Sequence, residues 1–165
     1  MAANNRNAIQ NPKEGRTMTD ITTKGLIVVP AGEGEPHWIG ASRITVKATA
    51  AQTNGGYGLI VSEAACGTSA PLHIHHTADE GIWVITGHIL VRCGTDEFAL
   101  GPGGYASLPR GIPHTFLAEK DTTMLGLITP GGTEGYFTEG GPVATTPTPP
   151  PPDLERLQQA AEKFQ

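Results

Sequence analysis

Two histidines, His73 and His75, stand one residue apart in PLHIHHTADEGIWVITG. In a β-strand, side chains repeat every second residue, so both imidazoles point to one face. Glu80 follows five positions after His75, enough for a short turn and the start of a returning strand. The β-branched run through Ile82 and Val84 reads as that strand, and Gly87 closes it with a turn. Two imidazole nitrogens and a carboxylate oxygen converging across such a hairpin supply three ligands for a divalent metal. His114, in GGYASLPRGIPHTF, is the fourth candidate.

Three neutral imidazoles and one carboxylate leave a divalent ion with a site charge of about +1, which an enolate or phenolate oxygen would neutralise. Four protein ligands leave one or two positions open on a metal that prefers five or six, the mark of a catalytic site. The ligand types suit Ni, Co, Mn, Fe, Zn and Cu alike. Glu80 has two readings. It is either a permanent ligand or also a base that takes the proton from a substrate hydroxyl at the metal.

The other histidines read as structural. His37 sits beside Trp38 in what looks like a loop and packs there rather than serving as a fifth ligand. His76 lies on the strand face opposite His73 and His75, and His88 falls on an outward turn after Gly87. Asp79 shapes the hairpin. Strand parity places Phe116 with His114, and Ile82 and Val84 with Glu80. Tyr57 and Leu59, with Met124 or Leu125 across from them, complete an apolar pocket suited to a flat aromatic molecule. By the same parity Trp83 points away from the metal, which suggests a subunit interface.

The elements that must hold these residues are short. The chain has 165 residues, of which 22 are glycine, 14 are proline and only 16% are charged, a composition of turns and strands rather than long helices. A net charge of -5 argues against nucleic acid or an anionic membrane as partner. There is no apolar run of membrane-spanning length and no signal-peptide pattern, and Cys66 and Cys93 read as free thiols, so a cytoplasmic location is expected. Residues 1–20 are expected to form a disordered or extended arm, with Met18 as an alternative start. Residues 21–145 carry short strands at near-regular spacing: GLIVVP, SRITVKATA, YGLIVSEA after the NGG turn, the metal hairpin, HILVRCG, EFALGPGG, HTFLAEK and TTMLGLITPGG. With no convincing helix among them, this is an all-β sandwich or barrel. Residues 146–152 form a stiff proline-rich linker. Residues 153–165 form an amphipathic helix capped by Asp153, with Leu154, Leu157, Ala161 and Phe164 in one stripe. So short a helix must dock on its own barrel or a neighbour's.

These motifs resemble those of the cupin superfamily. The first matches at Gly67, His73, His75, Glu80 and Gly87, and the second at Gly103, Pro109, Gly111 and His114, although Ala118 stands where the family often has Asn. Within cupins the chain is similar to the single-domain quercetin 2,3-dioxygenase-like (quercetinase) group. That similarity rests on PLHIHHTADEGIWVITG, on LPRGIPHTF, and on TPGGTEGYFTEGGP followed by prolines and a terminal helix. The resemblance implies a jelly-roll β-barrel in a single domain and a metal held by His73, His75, Glu80 and His114. It also implies a flavonol substrate, deprotonated at its 3-hydroxyl and opened by dioxygen with loss of carbon monoxide. Cupins commonly pair through their sheets, so a homodimer with Trp83 at or near the interface is expected. The alternatives are a metal-dependent cupin without oxygen chemistry, such as a polyketide cyclase or isomerase, and a non-enzymatic module that binds a small molecule or stores metal.

Overall fold

A computed structural model describes residues 24–164 of the chain. The N-terminal arm expected over residues 1–20 lies outside the described residues. Among the described residues nine strands and two helices follow in order: β1 Pro36–Ile39, β2 Ser42–Ala48, β3 Gly58–Ala64, β4 Asp79–Thr86, β5 Ile89–Cys93, β6 Asp96–Leu100, β7 Tyr105–Leu108, β8 His114–Ala118, β9 Thr122–Thr129, α1 Gly135–Gly140 and α2 Leu154–Phe164. They build two antiparallel sheets, one of six strands in the order β1-β2-β3-β9-β4-β7 and one of three in the order β6-β5-β8. The architecture is an all-β jelly roll with a C-terminal helix. Among the described residues, no helix is long and apolar enough to cross a membrane.

Alternation explains where the core lies. In β9 every second residue (Thr122, Met124, Gly126 and Ile128) is buried, while Thr123, Leu125 and Leu127 between them are half-buried. Val84 and Met124 from the larger sheet meet Ile89, Val91 and Ala118 from the smaller one, and Val84, Ile89, Val91 and Ala118 are fully buried. Each such aliphatic side chain of Val or Ile size contributes roughly 1.5–3 kcal/mol relative to exposure. This core belongs to the two sheets and does not depend on the histidines.

Several sequence expectations need correction. GLIVVP forms no strand: residues 26–30 join no sheet, and Leu26 and Val28 stay exposed. His37 lies on β1 rather than in a loop. It is buried, its Nδ1–H donates to the Gly141 carbonyl at 3.0 Å, and its Nε2 faces Glu35 at 3.2 Å. In β3 the inward residues are Ile60, Ser62 and Ala64, whereas Leu59 and Val61 take the opposite face and Tyr57 is exposed. Both parities of YGLIVSEA are apolar, so hydrophobicity alone could not choose the face. Helix α1 was not anticipated, because GYFTEG is short, has glycine at both ends and receives no side-chain cap. Its preceding Glu134 is buried and turns its carboxylate elsewhere, accepting the Ala50 N–H at 2.5 Å and the Gly132 N–H at 2.6 Å.

Helix α2 does form over the stripe, and Asp153 caps it by accepting the Arg156 N–H at 3.0 Å. It docks on its own chain, mainly against α1.

Candidate metal centre

The segment carrying His73 and His75 is not one arm of a hairpin with β4. Instead His73 forms a single antiparallel bridge with His114 across the barrel end. The His73 N–H donates to the His114 carbonyl at 3.1 Å, and the His114 N–H returns to the His73 carbonyl at 2.9 Å. One step further, the Gly111 N–H donates to the His75 carbonyl at 2.8 Å. Backbone pairing therefore zips the two motifs together and sets the three imidazoles side by side, with ring centroids 4.4–5.2 Å apart. Glu80 arrives separately, on β4 between β7 and β9. One ligand atom from each of His73, His75, Glu80 and His114 lies within 4.8 Å of the others. The four residues singled out by spacing do converge, but the connection between them runs through His114 rather than through a hairpin.

Hydrogen bonds at the far side of two rings fix their tautomers. His73 donates Nδ1–H to the Pro71 carbonyl at 2.8 Å, and His114 donates Nδ1–H to the Ile112 carbonyl at 2.9 Å. Each Nε2 is left with a lone pair for a cation. The Nε2 of His114 is buried without a hydrogen-bond partner, yet stands 3.3 Å from Glu80 Oε2, as does Nε2 of His75. Acceptors that close in a buried site repel each other. A proton or a metal ion between them resolves the conflict, and the donor set fits a divalent ion.

The acid–base balance reflects the same crowding. Burial pushes the Glu80 carboxyl up, but contacts with His114 and His75 outweigh it and hold the group at about 2. Burial lowers the His73 imidazole, overriding its bond to Pro71. Burial also works on His114, but there the Glu80 contact and the Ile112 carbonyl win and its pKa is raised. Glu80 is thus ionised across the neutral range, as a metal ligand must be.

Asp79 does more than shape a turn. Its carboxylate takes the Arg110 guanidinium in two bonds, at 3.0 and 2.9 Å, and also the Arg110 N–H at 2.9 Å. Those Arg110 bonds hold the Asp79 carboxyl down at about 2. The pair is half exposed, so its worth to stability is small. Its geometric effect is larger, because it ties the residue before Glu80 to the loop that leads into His114. Asp79→Asn should therefore lower metal affinity about tenfold, the low end of effects seen when outer support of ligands is lost, with the melting temperature little changed. Unaltered affinity in a chelator competition would show that the backbone bridge alone positions the cluster.

A cavity of about 560 Å³ opens above the four residues. Ile82 and Phe116 line it as strand parity predicts, Met124 and Leu125, expected as alternatives, both line it, and Ile60 and Ser62 take the place expected for Tyr57 and Leu59. Val84 belongs to the core beneath. β9 passes the carboxylate as Gly126, where a Cβ would stand 2.7 Å from Ile60. Sequence reasoning also missed Leu72 at the rim and the part taken by α2, whose Leu154, Leu157 and Ala161 line the same cavity. The apolar stripe was the available signal; what it would face was not readable. His37, His76 and His88 stand apart from the cluster.

Two facing sheets thus enclose a three-histidine, one-glutamate cluster under an apolar cavity. Residues 61–129 match the family model described as a cupin domain. A quercetin 2,3-dioxygenase from Bacillus subtilis (strain 168) is 30% identical over 95 residues, covering 58% of this chain and 28% of that protein. Another, from Aspergillus japonicus, is 45% identical over 53 residues, covering 32% of this chain and 15% of that protein. The chain thus spans less than a third of the length of these curated relatives. The crystal structure of an RmlC-like cupin from Shewanella frigidimarina NCIMB 400 matches with a TM-score of 0.56 at 15% identity, over 62% of this chain and 89% of that one, a likeness of fold.

Proposed function

We propose that the protein is a metal-dependent dioxygenase that opens a flavonol-type aromatic substrate with O2, using His73, His75, Glu80 and His114 as metal ligands. The observation that supports this reading is the convergence of three histidines and a glutamate in the lining of an apolar cavity of about 560 Å³, a size that suits a flat polycyclic molecule. The local similarity to two quercetin 2,3-dioxygenases supports the choice of substrate class. When bound, a divalent metal would supply a Lewis acid for an acidic substrate hydroxyl and the site of oxygen chemistry.

The chain's own residues have definable tasks. Ile82, Phe116 and Met124 strip water from the ring system and hold it flat above the cluster. His73 and His114 are oriented by the Pro71 and Ile112 carbonyls and so need no rearrangement to bind a cation. Glu80, on a strand paired on both sides, holds its carboxylate where a substrate hydroxyl would lose its proton, and an Oε atom is the acceptor. The runner-up, a Lewis-acid cupin acting without oxygen, uses the same residues for the same enolate or phenolate. Oxygen uptake with a panel of flavonols at controlled metal content separates them. Uptake matched to flavonol loss supports the dioxygenase; substrate conversion without uptake supports the alternative.

The assembly proposed is a homodimer. Trp83, Ile85 and Tyr105 are each about half exposed on the outer face of the larger sheet, with the Trp83 and Tyr105 rings 6.4 Å apart. Such a cluster of large apolar side chains favours burial against a second copy. The terminal helix, satisfied within its own chain, adds nothing to this argument. Sedimentation at micromolar concentration should give twice the 17.2 kDa chain mass and Trp83→Asp a monomer; a wild-type monomer would contradict the dimer.

A further inference from the structure

We propose that helix α2 is a wall of the ligand pocket and sets which ring systems it admits, with Leu157 and Ala161 against the ligand. The inference rests on the substrate class proposed above and assigns the residues that discriminate within it. The cavity that His73, His75, Glu80 and His114 line is also lined by Leu157, Gln158 and Ala161 of α2. Two of its lining residues are strongly exposed leucines, Leu72 and Leu154, 65% and 73% exposed, one just before His73 and one at the start of α2. Large apolar side chains that line a cavity yet stay in water suit contact with an apolar ring.

The helix is held in place by contacts that lie away from the cavity. Lys163 reaches both carboxylate oxygens of Glu139 at 2.8 Å, and Arg156 donates to the carbonyls of Glu139 and Gly141. Ala160 is buried against Gly140, where an added Cβ would meet it at 3.3 Å. The proline arm is seated at Trp38, which borders a crevice with Pro150, Pro151 and Pro152. An isolated helix of eleven residues is marginal in water, so these contacts decide where it sits. They leave Ala161 free to face the cavity, while Gln159 is exposed and outside the cavity lining.

That division provides the test. Ala161→Trp adds bulk inside the cavity, and Gln159→Trp adds the same bulk on the solvent side of the same helix. The metal-loaded full-length protein is titrated anaerobically with quercetin, and separately with the fluorescent apolar anion 1-anilinonaphthalene-8-sulfonate. Metal content and melting temperature are recorded for each variant. Ala161→Trp should weaken both probes at least about tenfold while Gln159→Trp binds like the parent, as expected when an indole fills ligand space. If the parent binds the dye but not quercetin and Ala161→Trp still weakens the dye, the wall stands and the flavonol reading falls. Parent-like binding by Ala161→Trp would overturn the inference. So would equal weakening by both variants, since bulk would then act on helix docking alone.

Discussion

Replacing His114 with alanine should release the metal and leave the barrel folded. The imidazole is 1% exposed and offers Nε2 to the cluster, with Nδ1–H already committed to the Ile112 carbonyl. Loss of groups that merely support a ligand costs about 10–100-fold in affinity, so loss of the ligand itself should cost more than about 100-fold. The fold should survive because the bridge to His73 is made by backbone atoms, which alanine keeps, and because the main core is built from Val84, Ile89 and Val91. The check is metal content after dialysis, together with a thermal melt. Near-stoichiometric metal at parental affinity would sink the four-ligand assignment.

Glu80→Gln should behave differently. The amide oxygen still reaches the cluster as a weak neutral ligand, but the group accepts no proton at neutral pH. The site charge also rises by one, and the carboxylate that faces His75 and His114 at 3.3 Å is gone. Positioned acid–base groups contribute about 10²–10⁴-fold, so turnover should fall by that order while part of the metal remains. Rate and metal content measured on the same sample decide it. Parental turnover per bound metal would rule Glu80 out as the proton acceptor.

Much of the site was legible because its chemistry is written in residue type and spacing. A strand period of two links His73 to His75, and Glu80 and His114 fall at motif distances along the chain. The all-β class followed from short β-branched runs punctuated by glycine and proline. What was not legible depended on contacts between distant segments. Nothing in HIHH says that His73 pairs with His114 rather than with β4; that is settled by packing of the two sheets. The inward face of β3 was ambiguous because Leu59 and Ile60 are equally apolar, and only the register with Gly126 of β9 decides it. The helical stripe after the prolines was evident, but its destination over the cavity depends on α1, a six-residue helix with almost no local signal.

The most direct measurement is the absorption spectrum of quercetin added without oxygen to protein of known metal content. The reading advanced above predicts a red shift of the flavonol's long-wavelength band as its hydroxyl ionises at the cluster. The shift should saturate at about one quercetin per bound metal and vanish in His114→Ala. An unshifted spectrum with the metal fully in place would contradict it.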